Sequence, residues 1–359
     1  MAPLDKHGLS LILTRTLMNG LLHRDIDILS LLISEYISTA APIGSATIAS
    51  RGNLSLSSAT IRNVLARLEE YGLLTHPHTS AGRMPTPAGL RFYVNTILSR
   101  RELSEGERTV IERQFSRPGA SIENVLERTG AILSLVSNYT GLVVMPKPEH
   151  LTFKHLEFLP LSRGKVLGIF VSREGLVHNR VIDVGEEFSY PDFEKISNYC
   201  NNTFYGCTLE DALKKAVREY EEERVRYDRL ISRALVWSKE LFGTASQDEL
   251  VVRGESKFIS EPEFTDVEKL KQIMDALEEK KEIVHLLNRA SESDEVSVFI
   301  GAESGYDAVA NCSIVSTPYK KNGKAVGRLG VIGPTRMNYS RVIPTIDFTA
   351  KLLGEMLGE

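Results

Sequence analysis

The sequence predicts an α+β multidomain protein: a mostly helical head ending in a polar hairpin, then an antiparallel sheet interrupted by a mostly helical insertion. Three observations predict it. Residues up to about 104 show helical periodicities closed by a turn-rich stretch, strand patterns recur over 156–184 and 296–332, and a seven-residue step runs between them. At 359 residues and 42% hydrophobic content the chain can fill two or three separate cores.

The head begins after an N-terminal extension to about Leu22. From Asp25 to Thr39, Leu29, Leu32, Ile33, Tyr36 and Ile37 share one face, as in a core helix. Pro42-Ile43-Gly44 breaks it, Ser45 caps a short helix containing Ile48 and Ala49, and Gly52-Asn53 turns the chain. Ser57 then caps a second long helix that Gly72 ends. Ile61, Val64, Leu65 and Leu68 form its apolar stripe, and the opposite face gathers Ala59, Arg62, Asn63, Ala66 and Arg67. Small residues beside forked cations and an amide suit a helix entering the major groove, where Arg pairs with guanine and Asn with adenine. Leu73–His76 reads as a strand, Pro77–Arg83 as a polar loop, and Met84-Pro85 leads to a helix start at Thr86. Helix, short helix, polar-faced helix and hairpin, in that order, predict a winged helix-turn-helix. Arg62, Asn63 and Arg67 are the candidates for base edges or nearby phosphates. Ser57, Ser58, Thr60, His78, Thr79, Ser80 and Arg83 are the candidates for positioning on the backbone.

Charge is unevenly spread. Residues 1–100 hold nine Lys or Arg against six acids, a net of +3, so with −4 overall the rest carries −7. A mildly basic head on an acidic body fits a nucleic-acid-binding domain joined to a body with another task. Cys200, Cys207 and Cys312 form no CxxC pair, which points to a reducing cytosol rather than a disulfide framework. No run approaches a membrane helix, and Arg15, Asn19 and Gly20 interrupt the apolar stretch 9–22.

The body opens with helical residues 105–137, broken at Ser116-Arg117-Pro118-Gly119. Strands follow over Leu156–Leu161, Lys165–Val171 and Leu176–Val184, and return at Val296–Ile300, Cys312–Ser316 and Gly327–Ile332 before a final helix at about Tyr339–Leu357. One antiparallel sheet with helices packed on it accounts for these strands. Between them, Leu213, Tyr220, Tyr227, Ala234 and Leu241 step by seven, with Ala216, Leu230 and Trp237 in the intermediate register. Such a seam serves helix packing within a subunit, as a hairpin with a helix at 266–289, or between subunits.

No catalytic or cofactor constellation emerges. Gly327, Gly330 and Gly333 are spaced GxxGxxG rather than as a dinucleotide fingerprint, no HExxH or GxSxG occurs, and no metal or cofactor is expected. An enzyme is therefore not the reading.

Ser58-Ala59-Thr60-Ile61-Arg62-Asn63, Leu68-Glu69, Gly72, Pro77-His78-Thr79-Ser80-Ala81-Gly82-Arg83, Pro85 and Arg91-Phe92-Tyr93-Val94 resemble the HrcA heat-inducible transcription repressors of bacteria. So do Ile300-Gly301-Ala302-Glu303, Cys312-Ser313, Tyr319 and Gly327 in the body, and above all Gly330–Tyr339. The resemblance covers about residues 24–357. It implies an extension at 1–22, a winged helix-turn-helix at 23–104, a GAF-like domain split between 105–191 and 266–359, and an inserted dimerising domain at 192–265. It also implies a homodimer on an inverted-repeat operator of double-stranded DNA, dimerised through Leu213, Tyr220, Tyr227, Leu230, Ala234, Trp237 and Leu241. Relatives repress chaperone operons in the bacterial cytoplasm, at the nucleoid, with the GroE chaperonin keeping the repressor active until heat diverts it. The alternative is a regulator whose GAF-like domain senses a small molecule.

Overall fold

The structure, a computed structural model, describes residues 21–52, 56–78, 81–97, 102–115, 122–146, 151–162, 164–173, 175–184, 188–212, 214–215, 218, 233–238, 241, 250–289 and 295–358. The fold is mixed α and β, with every strand pairing antiparallel among the described residues.

Four helices and a hairpin build the head among the described residues. On α1 (His23–Thr39), Ile28, Leu29, Leu32 and Ile33 are buried against Ile48 of α2 (Ser45–Arg51) and the apolar stripe of α3 (Ser58–Glu70). The hairpin is minimal: β1 (Leu74–Thr75) and β2 (Met84–Pro85) pair only Leu74 with Pro85 and Thr75 with Met84. Thr86 caps α4 (Pro87–Phe92), its Oγ1 accepting the Gly89 N–H at 3.0 Å, and Pro87 occupies the first turn, where its missing N–H costs nothing.

After α5 (Glu105–Phe115) and α6 (Ile122–Ser137) the chain enters a five-stranded sheet at β3 (Thr140–Val144). Its order is β7-β3-β10-β9-β8, with β7 at Leu250–Arg253, β8 at Ser297–Ile300, β9 at Cys312–Lys321 and β10 at Lys324–Pro334. Alternation splits the side chains between two covers. Val143, Leu329 and Val331 meet α6 and α10 (Tyr339–Gly358) on one face. Leu142, Val144, Ile314 and Ile332 meet α8 (Val267–Glu279) and α9 (Lys281–Arg289) on the other. The three spaced glycines lie along β10 for close packing. A Cβ on Gly327 would sit 2.2 Å from Tyr319 Oη, one on Gly330 2.3 Å from the Val315 carbonyl, and one on Gly333 2.6 Å from the Tyr139 ring.

The expectation of a single sheet is corrected here. Strands β4 (Phe153–Ser162), β5 (Lys165–Ser172) and β6 (Val177–Asp183) form a separate three-stranded meander. Phe153, Phe158 and Phe170 turn inward against Phe193, Ile196 and Phe204 of α7 (Tyr190–Phe204). The meander thus belongs with the inserted segment, whereas β7, expected inside that segment, completes the five-stranded sheet. Strands β3 and β7 were not foreseen at all. The helix expected over 266–289 is two helices, because Lys280 adopts a left-handed φ of 62° between them.

Three of the seam residues lie inside the subunit. Ala234, Trp237 and Leu241 are 0%, 1% and 0% exposed and complete the same core as the meander, with Trp237 ringed by Phe158, Phe188 and Phe193 at 5.1–5.9 Å. They pack within the subunit and offer no surface to a partner. Leu213, Tyr220, Tyr227 and Leu230 lie outside the described residues.

Two arginines clasp the head to the body. Arg91 donates from Nε to Glu303 at 3.0 Å and from Nη2 to the Val298 carbonyl at 2.6 Å. Arg336, in the turn between β10 and α10, pairs with Glu261 and Glu263 and donates to the Ile37 carbonyl near the end of α1 at 3.2 Å.

Candidate nucleic-acid interface

The α3 helix presents the candidate surface, and its ends are fixed by its own residues. Ser57 is the N-cap: its Oγ accepts the Thr60 N–H at 3.1 Å and lies 2.9 Å from Thr60 Oγ1. Ser58 Oγ meets Ser45 Oγ of α2 at 2.9 Å, tying the starts of the two helices together. At the other end Gly72 takes φ +71°. Its N–H donates to the Glu69 carbonyl at 2.8 Å, and the Leu73 N–H donates to the Leu68 carbonyl at 3.0 Å, a closed C-terminal motif that a left-handed residue permits. Because Ile61, Val64, Leu65 and Leu68 are all buried, the register of the helix is fixed and the opposite face must look outward.

On that face Arg62 and Asn63 are exposed, flanked by exposed Ala59 and Ala66. Neither has a partner among the described residues. Among the described residues, the other arginines of the head are engaged, with the exception of exposed Arg24. Arg51 pairs with Glu35 and Arg91 with Glu303.

Arg67, expected at base edges or nearby phosphates, pairs with Asp25, which is 0% exposed on α1 and also accepts the Leu22 N–H at 3.0 Å. A buried carboxylate needs a cation beside it, so Arg67 is held as the counter-charge and fastens α3 to α1. Arg83 is engaged likewise. Its Nε lies 2.8 Å from Glu69 Oε2, an ion pair not aligned as a hydrogen bond, while His76 Nδ1 meets the other oxygen of the same carboxylate. The Arg83 backbone is also bridged to Ile43, N–H to carbonyl in both directions at 2.8 Å. His78 is exposed at the tip of the hairpin. Thr79 and Ser80 lie outside the described residues. Ser57, Ser58 and Thr60 sit together at the start of α3, their hydroxyls already engaged as caps and ties.

Sequence reasoning gave Asp25, Glu69 and Ser45 no role at this surface, yet each is the partner of a residue to which it did. A lone acid in an amphipathic helix carries no mark of what it faces.

No group of three or more His, Cys, Asp or Glu among the described residues is placed to hold a metal ion. No helix among them is long and apolar enough to cross a membrane.

Comparison with known proteins gives this surface its setting. A family model described as the HrcA protein C terminal domain matches residues 123–343. The heat-inducible transcription repressor HrcA of Geobacter sulfurreducens is 39% identical over 340 residues, spanning 95% of this chain and 99% of its own length. That of Syntrophobacter fumaroxidans is 37% identical over 344 residues, spanning 95% and 99%. The crystal structure of a hypothetical protein shares the fold at a TM-score of 0.65 and 23% identity, covering 94% of this chain and 99% of that one. With the match extending from the head through the sheet to the last helix, the chain belongs to the HrcA family of heat-inducible transcription repressors.

Proposed function

We propose that residues 23–104 work as a winged helix-turn-helix that inserts α3 into the major groove of an operator. Arg62 and Asn63 read base edges, and His78, Thr79 and Ser80 on the hairpin loop, together with the hydroxyls of Ser57, Ser58 and Thr60, position the unit on phosphates. The observation that carries this reading is the contrast within the head: Arg62 and Asn63 stand out from a helix whose apolar side is locked, while Arg67, Arg83 and Arg91 are held by carboxylates. Arg62→Ala will cost ~1–3 kcal/mol of operator binding and relax preference at one base pair. Equal weakening on every sequence would make Arg62 a phosphate contact instead. Binding will fall steeply with salt, since phosphate contacts release counterions.

The operator in this reading is an inverted repeat met by a homodimer. We assign the dimer contact to the outer face of the β4–β6 sheet in place of the heptad seam, whose described members are buried inside the subunit. Val177 and Val181 are 53% and 51% exposed there, Leu159, Leu167, Ile169 and Val171 are half-buried beside them, and Lys165 and Asp183 flank the patch as a cross-strand pair. The GAF-like body, split around an insertion running from about 151 to 249, sets the distance between the two heads.

The kinship extends the proposal to regulation. As a nucleoid-associated cytosolic repressor of chaperone operons, the chain depends on the GroE chaperonin for its competent fraction, and heat lowers that fraction when unfolded proteins occupy the chaperonin. Adding chaperonin to the purified protein will raise operator occupancy; no gain at any temperature sinks this part. The small-molecule alternative has no observation behind it, since side chains from α6, α8, α9 and α10 fill both faces of the five-stranded sheet.

A further inference from the structure

We propose that Glu69 is a positioning residue for DNA binding, a keystone that sets the hairpin loop at a fixed angle to α3. The inference rests on the nucleic-acid reading and deepens it. The hairpin cannot hold its own loop. Each strand has two residues, and Pro85 brings no N–H to one of the two pairs. Rigidity must come from outside the ladder, and the surrounding contacts converge on one carboxylate. Glu69, 26% exposed in the last turn of α3, takes His76 just after β1 on one oxygen and Arg83 just before β2 on the other. Both feet of the loop are thereby tied to the helix that reads the groove. The second foot is fixed again by the Ile43–Arg83 backbone bridge, where Gly82 approaches so closely that a Cβ would fall 2.5 Å from the Ile43 carbonyl carbon. Thr86 Oγ1 closes the base by donating to the Gly72 carbonyl at 2.7 Å. A single acid thus couples the element that reads bases to the element that meets phosphates, without touching DNA itself. A loop aimed in advance loses less entropy on binding than one that must find its place.

The test uses the full-length protein and a duplex selected by the wild type from a randomised pool. Glu69→Gln keeps the shape of the side chain and removes its charge. Its expected signature is about tenfold weaker binding, with hydroxyl-radical protection lost on the flank under the hairpin and kept over the positions beneath α3, and with base preference and melting temperature unchanged. Arg83→Gln will give the same flank-specific loss, and the double variant will be no weaker than either single one, because both break one coupling. Wild-type affinity and full flank protection in Glu69→Gln overturn the proposal if Arg62→Ala still weakens binding. So does a uniform loss of protection with a lowered melting temperature in both single variants. A double variant that is additively weaker makes Arg83 an independent phosphate contact and also overturns it. If Arg62→Ala and Glu69→Gln both bind like the wild type, the nucleic-acid reading itself has failed.

Discussion

The head and the inserted unit are small cores stiffened in opposite ways. In the head, charged pairs span the joints between elements: Arg67–Asp25 between α3 and α1, Arg83–Glu69 between hairpin and α3, Arg51–Glu35 between α2 and α1. In the inserted unit the joints are aromatic, with Phe158, Phe188, Phe193 and Trp237 in edge and stacked contact and Phe153 against Phe170 and Phe204. The difference suits the two tasks proposed above. Ion pairs fix direction, which a reading surface needs, whereas aromatic packing fills volume, which a unit presenting a broad apolar face needs.

Four substitutions sharpen or break that contrast. Trp237→Ala removes the centre of the aromatic cluster and will destabilise the inserted unit by ~3–5 kcal/mol, read by urea melts followed through the Tyr and Phe signals. A loss below 1 kcal/mol would mean that the cluster is not what holds the unit. Arg67→Ala strands the buried Asp25 carboxylate and will cost ~2–3 kcal/mol, moderated by the one-third exposure of Arg67. Arg67→Ala melting like the wild type while losing operator affinity would return Arg67 to the DNA surface. Val181→Lys places a charge on the outer face of the meander and will weaken self-association by ~1–3 kcal/mol without unfolding the chain, read by sedimentation at several concentrations. An unchanged dimer would remove that face from the account.

The smallest effect lies at the clasp between head and body. Burial raises the Glu261 carboxyl above its ordinary value, Arg336 opposes that shift, and the neighbouring Glu263 adds to it. The folded state therefore holds this proton more tightly than the unfolded chain. Its contribution to stability is fully present below the unfolded value and is lost as pH rises through the raised one. The stability of wild type relative to Glu261→Gln will accordingly decline as pH rises above the ordinary carboxylate value of about 4. Thermal melts across that rise check it, and a flat difference would show the carboxyl to be indifferent to its surroundings.

Much of this arrangement was legible in the residues, and the limits of legibility have physical causes. Ser57, Gly72 and the stripe Ile61, Val64, Leu65 and Leu68 are local signals, and α3 begins, ends and faces as they require. The meander strands also follow from alternation and their glycine turns. Partners distant in sequence did not show. Arg67 reads as an outward cation because Asp25 lies 42 positions earlier, and nothing about that acid declares it buried. Trp237 and Leu241 share a face, as their spacing says, but spacing cannot tell whether that face is covered by the same subunit or by another. Strands β3 and β7 were missed because five and four apolar-rich residues beside helices carry no distinctive period. That the meander stands apart from the main sheet depends on long-range pairing, which alternation leaves open.

The two clasps have a geometric consequence. Arg91 and Arg336 grip the head on separate sides, at β8 and at the end of α1, so the head has little freedom to swivel about its link to the body. The homodimer proposed above, built on such subunits, would carry a fixed ruler. Adding five base pairs between the halves of the proposed inverted repeat would carry one half to the opposite side of the double helix, and the second head could not follow.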